Sequence, residues 1–286
     1  MVHALESVTL AVRRLETAVD LLRDQFGLTV VRDTRASVGL LSAWRHPVHE
    51  SVRLVELAKD SQPIGRLRLG YYEDRRTDPA DAAPDPALSR ESVSAGPALL
   101  EFRGSGEVPL KVAASGPIRR LEGLAPVAVL GKPAGGLHAV WILAPDWERA
   151  ARFYTEVLGY VCHERADLTA EAARDLWGTI AAHERPSLRA AAFFAPGTTL
   201  GGVVLLDAPG AGPAQAQVPA EPGRPGIRFL TCRCDDLDGV LDRLPGLGID
   251  PLTPPSHVGL PNGKPARVML IRSPSAELYE LVEPED

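Results

Sequence analysis

The sequence has few cysteines, few positive charges and no long apolar run, and each shortage excludes a class of protein. Three cysteines among 286 residues cannot form a disulfide framework. No apolar stretch reaches the roughly 18 residues of a membrane span, and the formal net charge is −6. We therefore expect neither nucleic acid nor membrane as a partner. No signal-peptide pattern is visible at the N-terminus, which favours a cytoplasmic location.

The sequence repeats itself at an offset of 132 residues. The segment from Val8 to Leu28 aligns without a gap with the segment from Val140 to Tyr160. Each copy has alternating apolar residues typical of a strand, then apolar residues at helical spacing, a glycine that ends the helix, and a second strand. The repeat therefore predicts a fold built from copies of one module.

Weaker copies of this module are expected elsewhere in the chain. Residues 227–234 have a strand pattern, and Asp236 follows them as a helix N-cap, as Asp146 does in the strong copy. A fourth copy is expected between about residues 64 and 130, where only short strand-like fragments are visible. The chain is long enough for the two domains that four such modules would form.

The segment from Val140 to Tyr160 resembles the opening βαβββ module of the vicinal oxygen chelate superfamily. That family includes glyoxalase I, bleomycin-resistance proteins and extradiol dioxygenases. Residues 234–238 and 279–283 are similar to its later helix start and closing strand. The resemblance implies an α+β fold, in which tandem βαβββ modules form two half-closed mixed β-sheet barrels with helices packed outside. The fold supports many functions and does not specify one.

A glycine- and proline-rich stretch separates the two strong copies of the module. We therefore predict a first barrel at residues 1–130, in which the second module is degenerate, and a linker at residues 131–136. A second barrel is predicted at residues 137–286, and it is expected to contain the ligand pocket. This order, with consecutive modules paired, is the arrangement that the resemblance to extradiol dioxygenases implies.

Metal-using members of this family carry His or Gln on the first strand of a module and Glu on its closing strand. In this sequence the first-strand positions hold other residues, namely Ser7, Ala139 and Phe229. Glu280 matches the closing-strand position, and Glu56 and Glu101 are similar positions in the first half. A carboxylate without imidazole partners is not a competent transition-metal site. We therefore predict no metal ligands and no cofactor.

His138 lies one residue before a first-strand ligand position. Without a β-bulge, its side chain shares a face with Val140 and Ile142, away from the site. A bulge would turn it inward, where it could act in acid–base chemistry or bind a metal ion. Both orientations stay open at this point. A second histidine, His257, lies in a proline-rich segment that could fold over a cavity mouth.

Strand alternation predicts a mostly apolar, aromatic inner face in the second barrel. The residues predicted to contact a ligand there are Trp141, Leu143, Phe229, Thr231, Arg233 and His257. Such a surface suits a hydrophobic, planar molecule. Glu280 lies among these residues with two roles open. It could be a general acid or base if it is unpaired, or a structural ion pair with Arg233.

Three functions follow, of which the first is favoured. The protein could bind an aromatic or polyketide-like metabolite without metal. It could be an enzyme that uses Glu280, with His138 or His257, for a cyclisation, isomerisation or lyase step. It could instead be a metal-dependent dioxygenase or glyoxalase-like lyase with His138 and Glu280 among its ligands. The composition resembles that of proteins from high-GC bacteria, which favours a specialised metabolite. Monomer and homodimer both stay open.

Overall fold

A computed structural model describes residues 1–60, 62–73, 96–103, 118–120, 128–131, 136–169, 187–207 and 226–285. The strands within these ranges are β1 (Val2–Ala11), β2 (Thr29–Arg35), β3 (Val52–Ala58), β4 (Arg66–Tyr72), β5 (Gly96–Arg103), β6 (Ile118–Arg120), β7 (Ala128–Gly131), β8 (Gly136–Ala144), β9 (Val161–Thr169), β10 (Ser187–Phe194), β11 (Gly202–Asp207), β12 (Gly226–Cys234), β13 (Pro251–Gly259), β14 (Pro265–Arg272) and β15 (Leu278–Pro284).

The helices within the described ranges are short. They are α1 (Leu15–Phe26), α2 (Val38–Ala43), α3 (Trp147–Arg152), which continues as a π turn (Phe153–Val157), and α4 (Leu237–Leu241), which is followed by a 3-10 turn (Leu244–Leu247). None of these helices has the length and apolar character that crossing a bilayer requires.

Aspartate caps fix where two of the helices begin. The carboxylate of Asp146 accepts a hydrogen bond from the backbone N–H of Arg149, and Asp236 accepts one from Gly239. A cap of this kind stabilises a helix by about 1 kcal/mol. Both aspartates lie where the repeat predicts a helix to start, so this local signal is sufficient to position α3 and α4.

The strands form two mixed sheets. Sheet 1 has the order β13-β14-β15-β12-β1-β4-β3-β2, and sheet 2 has the order β6-β7-β5-β8-β11-β10-β9. The centre of each sheet is an antiparallel pair, β1 with β12 and β5 with β8. Each central strand also has a parallel neighbour on its other side. The predicted α+β class with half-closed mixed sheets is confirmed.

Each sheet combines strands from both halves of the chain. The first module pairs with the last in sheet 1, and the two middle modules pair in sheet 2. This order differs from the prediction of one barrel at residues 1–130 and a second at 137–286. The reason is that repeats and loop composition locate modules but do not reveal which central strands pair. Within the predicted linker at 131–136, residues 132–135 lie outside the described ranges.

Helices α1, α3 and α4 lie between the two sheets and share one hydrophobic core with both. Phe26 on α1 contacts Phe102 of sheet 2, with ring centroids 5.2 Å apart. Tyr154, on the π turn, contacts Phe193 of sheet 2 at 5.3 Å and Tyr279 of sheet 1 at 6.3 Å. The opposite face of each sheet, which we call its inner face, therefore points away from this core.

Candidate functional site

His138 is the extra residue of a β-bulge between β5 and β8. Glu101 pairs with Ala139 and Phe102 pairs with Leu137, so His138 has no residue opposite it. Because a bulge re-aims the side chain that it carries, His138 lies on the same face as Ala139 instead of alternating with it. Of the two orientations that the sequence left open, the structure has the inward one.

The imidazole of His138 is buried on the inner face of sheet 2. Its ring lies 5.2 Å from that of Phe194, at an interplanar angle of 52°. The side chain is 3% exposed. His163 approaches the same Phe194 ring edge-on, with centroids 5.5 Å apart. His138 is therefore placed among aromatic side chains at one end of this face.

The rest of the inner face of sheet 2 is apolar and contains several small side chains. In the register of the sheet, Ala192, Val204 and Trp141 form one row across neighbouring strands. Ala190 pairs with Leu206 in the next row, which ends at Leu143. All of these residues are buried. The alanines make the face shallow at two positions on β10, two strands from the large indole on β8.

One carboxylate lies on this apolar face. Glu101, which is 0% exposed, accepts a hydrogen bond from the indole Nε1–H of Trp141 at 2.9 Å. The bond holds the indole in a fixed orientation across the boundary between β5 and β8. Burying a carboxylate is costly unless it is hydrogen-bonded, so this pair is a specific feature of the face.

On the inner face of sheet 1, Glu280 is bonded on both carboxylate oxygens. Oε1 accepts from the indole N–H of Trp44 at 2.5 Å. Oε2 accepts from Arg68 Nη1 at 2.9 Å and from the hydroxyl of Thr231 at 2.7 Å. The ion pair left open by the sequence is thus present, but its partner is Arg68. Arg233 is exposed instead.

Arg68 is the centre of a larger charged cluster. Its Nε lies 3.4 Å from Oε1 of Glu56, and Glu56 also lies within 3.5 Å of Arg32 and Arg66. Burial lowers the pKa of the Arg68 guanidinium, but the charges of Glu280 and Glu56 outweigh it and the pKa is raised. Arg68 therefore stays positively charged although it is buried.

Helix α2 and the residue after it cover part of the inner face of sheet 1. The Trp44 ring stacks on Phe229, with centroids 5.0 Å apart. Leu40 and Leu41 of α2 pack into the same buried cluster, which also contains Leu270 of β14. This part of the face is filled by the chain's own side chains.

The structure divides the predicted ligand-contacting residues between the two sheets. Trp141 and Leu143 lie on the inner face of sheet 2, whereas Phe229, Thr231 and Glu280 lie on that of sheet 1. The single predicted surface is therefore wrong, because it assumed that β8 and β12 belong to one barrel.

Two further predicted contacts, His257 and Arg233, have exposed side chains. His257 is on edge strand β13, its side chain is 76% exposed, and its Nδ1 lies 2.7 Å from Oε1 of Glu285. A loop over a cavity was expected there, but strand pairing with β14 holds the segment. Arg233 is exposed near the end of β12. By alternation Arg233 is on the same side of the strand as Thr231, at its exposed end, whereas His257 pairs with Glu285 at the sheet edge.

Sequence reasoning missed the partners that determine the chemistry of each face. Arg68 could have been found, because it sits in the alternating segment from Arg66 to Leu69, where a basic residue inside a strand is unusual. Trp44 gave no signal, because it follows a short helix in an irregular region. Glu101 was noted, but as a closing-strand position, whereas it lies on the central strand β5.

Comparison with known proteins gives the family. Residues 136–275 match the sequence profile of the Glyoxalase/Bleomycin resistance protein/Dioxygenase superfamily. Nearly half of the chain thus matches this family, and the chain as a whole has the vicinal oxygen chelate fold. Among solved structures, glyoxalase I from Zea mays matches with a TM-score of 0.59 and 14% identity, over 99% of this chain and 92% of that chain. No curated protein matches this chain in sequence.

A second solved structure agrees with this assignment. A Bacillus subtilis protein, provisionally described as a dioxygenase, matches the whole of this vicinal oxygen chelate chain. The TM-score is 0.54 and the identity is 11%, and 86% of that chain is covered. At such low identity both structures show the fold alone.

The residues of sheet 1 in this vicinal oxygen chelate protein do not fit a transition-metal ion. The central strands β1 and β12 contribute Ser7 and Thr231. The strands that flank this pair, β4 and β15, contribute Arg68 and Glu280. A guanidinium neutralises the carboxylate and repels a cation. Within the described ranges, no three His, Cys, Asp or Glu side chains converge as metal ligands would.

Proposed function

We propose that this protein binds a hydrophobic, planar small molecule on the inner face of sheet 2, without a metal ion. The observation that carries the proposal is the composition of that face. Small side chains at Ala190 and Ala192 lie on the same face as the Trp141 indole, two strands away, and Glu101 holds the indole in place. Apolar walls with few fixed polar groups are typical of small-molecule sites, and an indole offers a stacking surface to a planar ring.

The charges on sheet 1 support the metal-independent part of the proposal. Glu280 and Glu56 are matched by the guanidinium of Arg68, which cannot lose its proton in a protein. On sheet 2, Glu101 and His138 are the two residues of ligand type on neighbouring central strands. Two such residues are fewer than the three or four protein ligands of an ordinary metal site.

Sheet 2 is the preferred location because the two inner faces differ in what occupies them. On sheet 1, Trp44 and α2 already provide the aromatic and apolar contacts that a ligand would make. A planar aromatic ligand there would have to displace Trp44 from Phe229 and break its bond to Glu280.

The test is a fluorescence titration of the purified protein with a panel of planar polycyclic aromatic compounds. We expect saturable binding at micromolar concentration. Ala192→Leu should raise the Kd of the best compound at least 10-fold, because the added bulk fills the shallow position in the row of Trp141. Trp44→Phe, on sheet 1, is the matched control and should leave the Kd unchanged. Equal affinities in the wild type and Ala192→Leu would refute the location.

Metal dependence is tested in the same titration. The protein is dialysed against a chelator, its metal content is measured by mass spectrometry, and the titration is repeated. We expect an unchanged Kd. Loss of binding that returns on addition of iron, manganese or zinc would refute the metal-independent proposal and favour a metal-dependent oxygenase or lyase.

One observation favours a second candidate, an enzyme that uses the same face. His138 is on β8 and Glu101 is on the neighbouring strand β5. The imidazole of His138 points inward, and a buried histidine can serve as general acid or base. Glu280, the acid–base residue suggested by the sequence, is bonded to three donors and suits this role poorly. In that case His138→Gln would keep ligand binding and lose turnover, whereas a binding protein would show no turnover in either form.

A further inference from the structure

Two buried hydroxyls on β1 have no hydrogen-bond partner within the described ranges. They are Ser7 Oγ and Thr9 Oγ1, and the residues are 1% and 2% exposed. Both side chains project from the inner face of sheet 1, since the alternate residues Val8 and Leu10 lie in the shared core. A buried hydroxyl without a partner costs about 1–3 kcal/mol. Two of them, side by side on one strand, indicate a missing polar partner.

The Arg68 side chain extends across the strand that carries these hydroxyls. Thr9 is the register neighbour of Arg68, and Ser7 pairs with Thr231 on the other side. To reach Glu280 on β15, the guanidinium crosses both β1 and β12. Its Nε–H donates no hydrogen bond within the described ranges, although Oε1 of Glu56 lies 3.4 Å away.

The three groups share one chemical property, because each can donate a hydrogen bond. A guanidinium N–H is a donor only, and serine and threonine hydroxyls donate readily. Donors that converge beside a positive charge are complementary to an oxygen-rich anion. We propose that the inner face of sheet 1 binds a small carboxylate, whose oxygens accept hydrogen bonds from Ser7, Thr9 and Arg68.

The charge balance of the cluster depends on the protonation of Glu6. Three guanidinium groups, on Arg32, Arg66 and Arg68, face three carboxyl groups, on Glu6, Glu56 and Glu280. Burial raises the pKa of Glu6, and the negative charges of Glu56 and Glu280 raise it further. The positive charges of Arg68 and Arg66 lower the pKa but do not cancel the rise. When Glu6 is neutral, the cluster carries one excess positive charge that a bound carboxylate would balance.

The partly exposed end of the cluster is the side from which a small molecule would reach this site. Glu6 is the extra residue of a bulge, because Leu5 pairs with Cys232 and Ser7 with Thr231. Glu6 is half-buried, and the side chain of Arg66 is 18% exposed. A molecule of two or three carbon atoms could enter between these side chains. The site is independent of the planar-ligand site on sheet 2.

The test uses acetate as the probe and acetamide as its neutral isostere. Isothermal titration calorimetry of the whole protein at pH 6 should give saturable binding of acetate and at least 10-fold weaker binding of acetamide. Ser7→Ala and Thr9→Val should each weaken acetate binding 5- to 20-fold, since each loses a hydrogen bond to a charged group. Thr155→Val, which removes an exposed hydroxyl on the π turn, should leave the affinity unchanged.

Thermal unfolding shows whether the variants fold and provides a second readout. Without acetate, Ser7→Ala and Thr9→Val should be as stable as the wild type or more so, because each removes an unpaired hydroxyl. Saturating acetate should raise the Tm of the wild type but not that of the double variant. Equal binding of acetate and acetamide, or acetate binding that survives both substitutions, would overturn the proposal. Absence of acetate binding would overturn it as well.

Discussion

At the scale of single residues, the pairing of Glu280 with Arg68 determines what this carboxylate can do. Replacing Glu280 by Gln leaves the Arg68 guanidinium buried with less compensation, and breaking a buried pair in this way is strongly destabilising. We expect Glu280→Gln to lower the free energy of unfolding by about 3 kcal/mol, measured by urea denaturation. Loss of turnover with full stability would instead indicate the acid–base role.

An exposed ion pair provides the matched control. Glu156 and Arg152 form a pair one turn apart on the surface, with both side chains more than half exposed. Solvent screens such a pair, so Glu156→Gln should leave the free energy of unfolding nearly unchanged. A similar loss of unfolding free energy in both variants would mean that the buried ion pair between Arg68 and Glu280 stabilises the fold no more than an exposed pair does.

A second residue-scale prediction concerns Glu277, which lies in the core between the sheets. Its Oε1 accepts a hydrogen bond from Tyr154 at 2.5 Å, and the side chain is 2% exposed. Burial raises the pKa of Glu277, although hydrogen bonds from Ser273 and Tyr154 act in the other direction. The protonated form is therefore favoured in the folded state.

A raised pKa fixes the sign of the pH dependence. The stability linked to Glu277 is fully present below its unfolded pKa of about 4.5 and is lost as the pH rises through the folded value. Between pH 4.5 and pH 8 we expect the wild type to lose stability relative to Glu277→Gln, because the glutamine cannot ionise. Chemical denaturation across this range measures it, and a constant difference would contradict the raised pKa.

At the scale of elements, two glycines connect the sheets. The backbone N–H of Leu5 donates to the carbonyl of Gly201 at 2.8 Å, and that of Leu137 donates to Gly65 at 3.3 Å. Gly65 has a φ of +72°, and a Cβ at this position would collide with the carbonyl oxygen of Leu137. Only glycine fits so close to another backbone.

Gly65→Ala should therefore be much more destabilising than an ordinary left-handed glycine substitution. Gly159 is the control, because its φ is +73° but no atom lies within 4 Å of the place that a Cβ would take. We expect a loss of about 1 kcal/mol for Gly159→Ala, from backbone strain alone, and at least about 3 kcal/mol for Gly65→Ala. Urea denaturation measures both, and equal losses would show that the contact with Leu137 relaxes at little cost.

The elements also show where sequence reasoning succeeds. The helices after Asp146 and Asp236, and the strands before them, follow from alternation, helical spacing and caps, which are local signals. The bulge at His138 could not be decided, because a bulge is a property of two paired strands and β5 was not recognised as the partner of β8. The orientation of His138 therefore depends on how β8 pairs with β5, which the sequence of β8 alone does not specify.

At the scale of the whole molecule, the pairing of modules explains why the predicted site was divided. Trp141 and Phe229 were assigned to one surface because both precede a predicted helix in the second half of the chain. The strand order places them on different sheets. The same alternation of apolar residues is expected whether β8 pairs with β12 or with β5, so alternation cannot distinguish the two pairings. The sequence therefore predicts the chemical character of single positions, but it does not predict which residues share a face.

The strand order leads to a prediction for the isolated second half, residues 137–286. In this fragment β12 would lose β1 and β8 would lose β5, so the central antiparallel pair of each sheet would be missing. We expect the fragment to lack a cooperative thermal transition as a monomer, and addition of residues 1–131 to restore it. Circular dichroism melts with size-exclusion chromatography measure both. A monomeric fragment that melts cooperatively would mean that β8 and β12 can pair directly, as the sequence suggested.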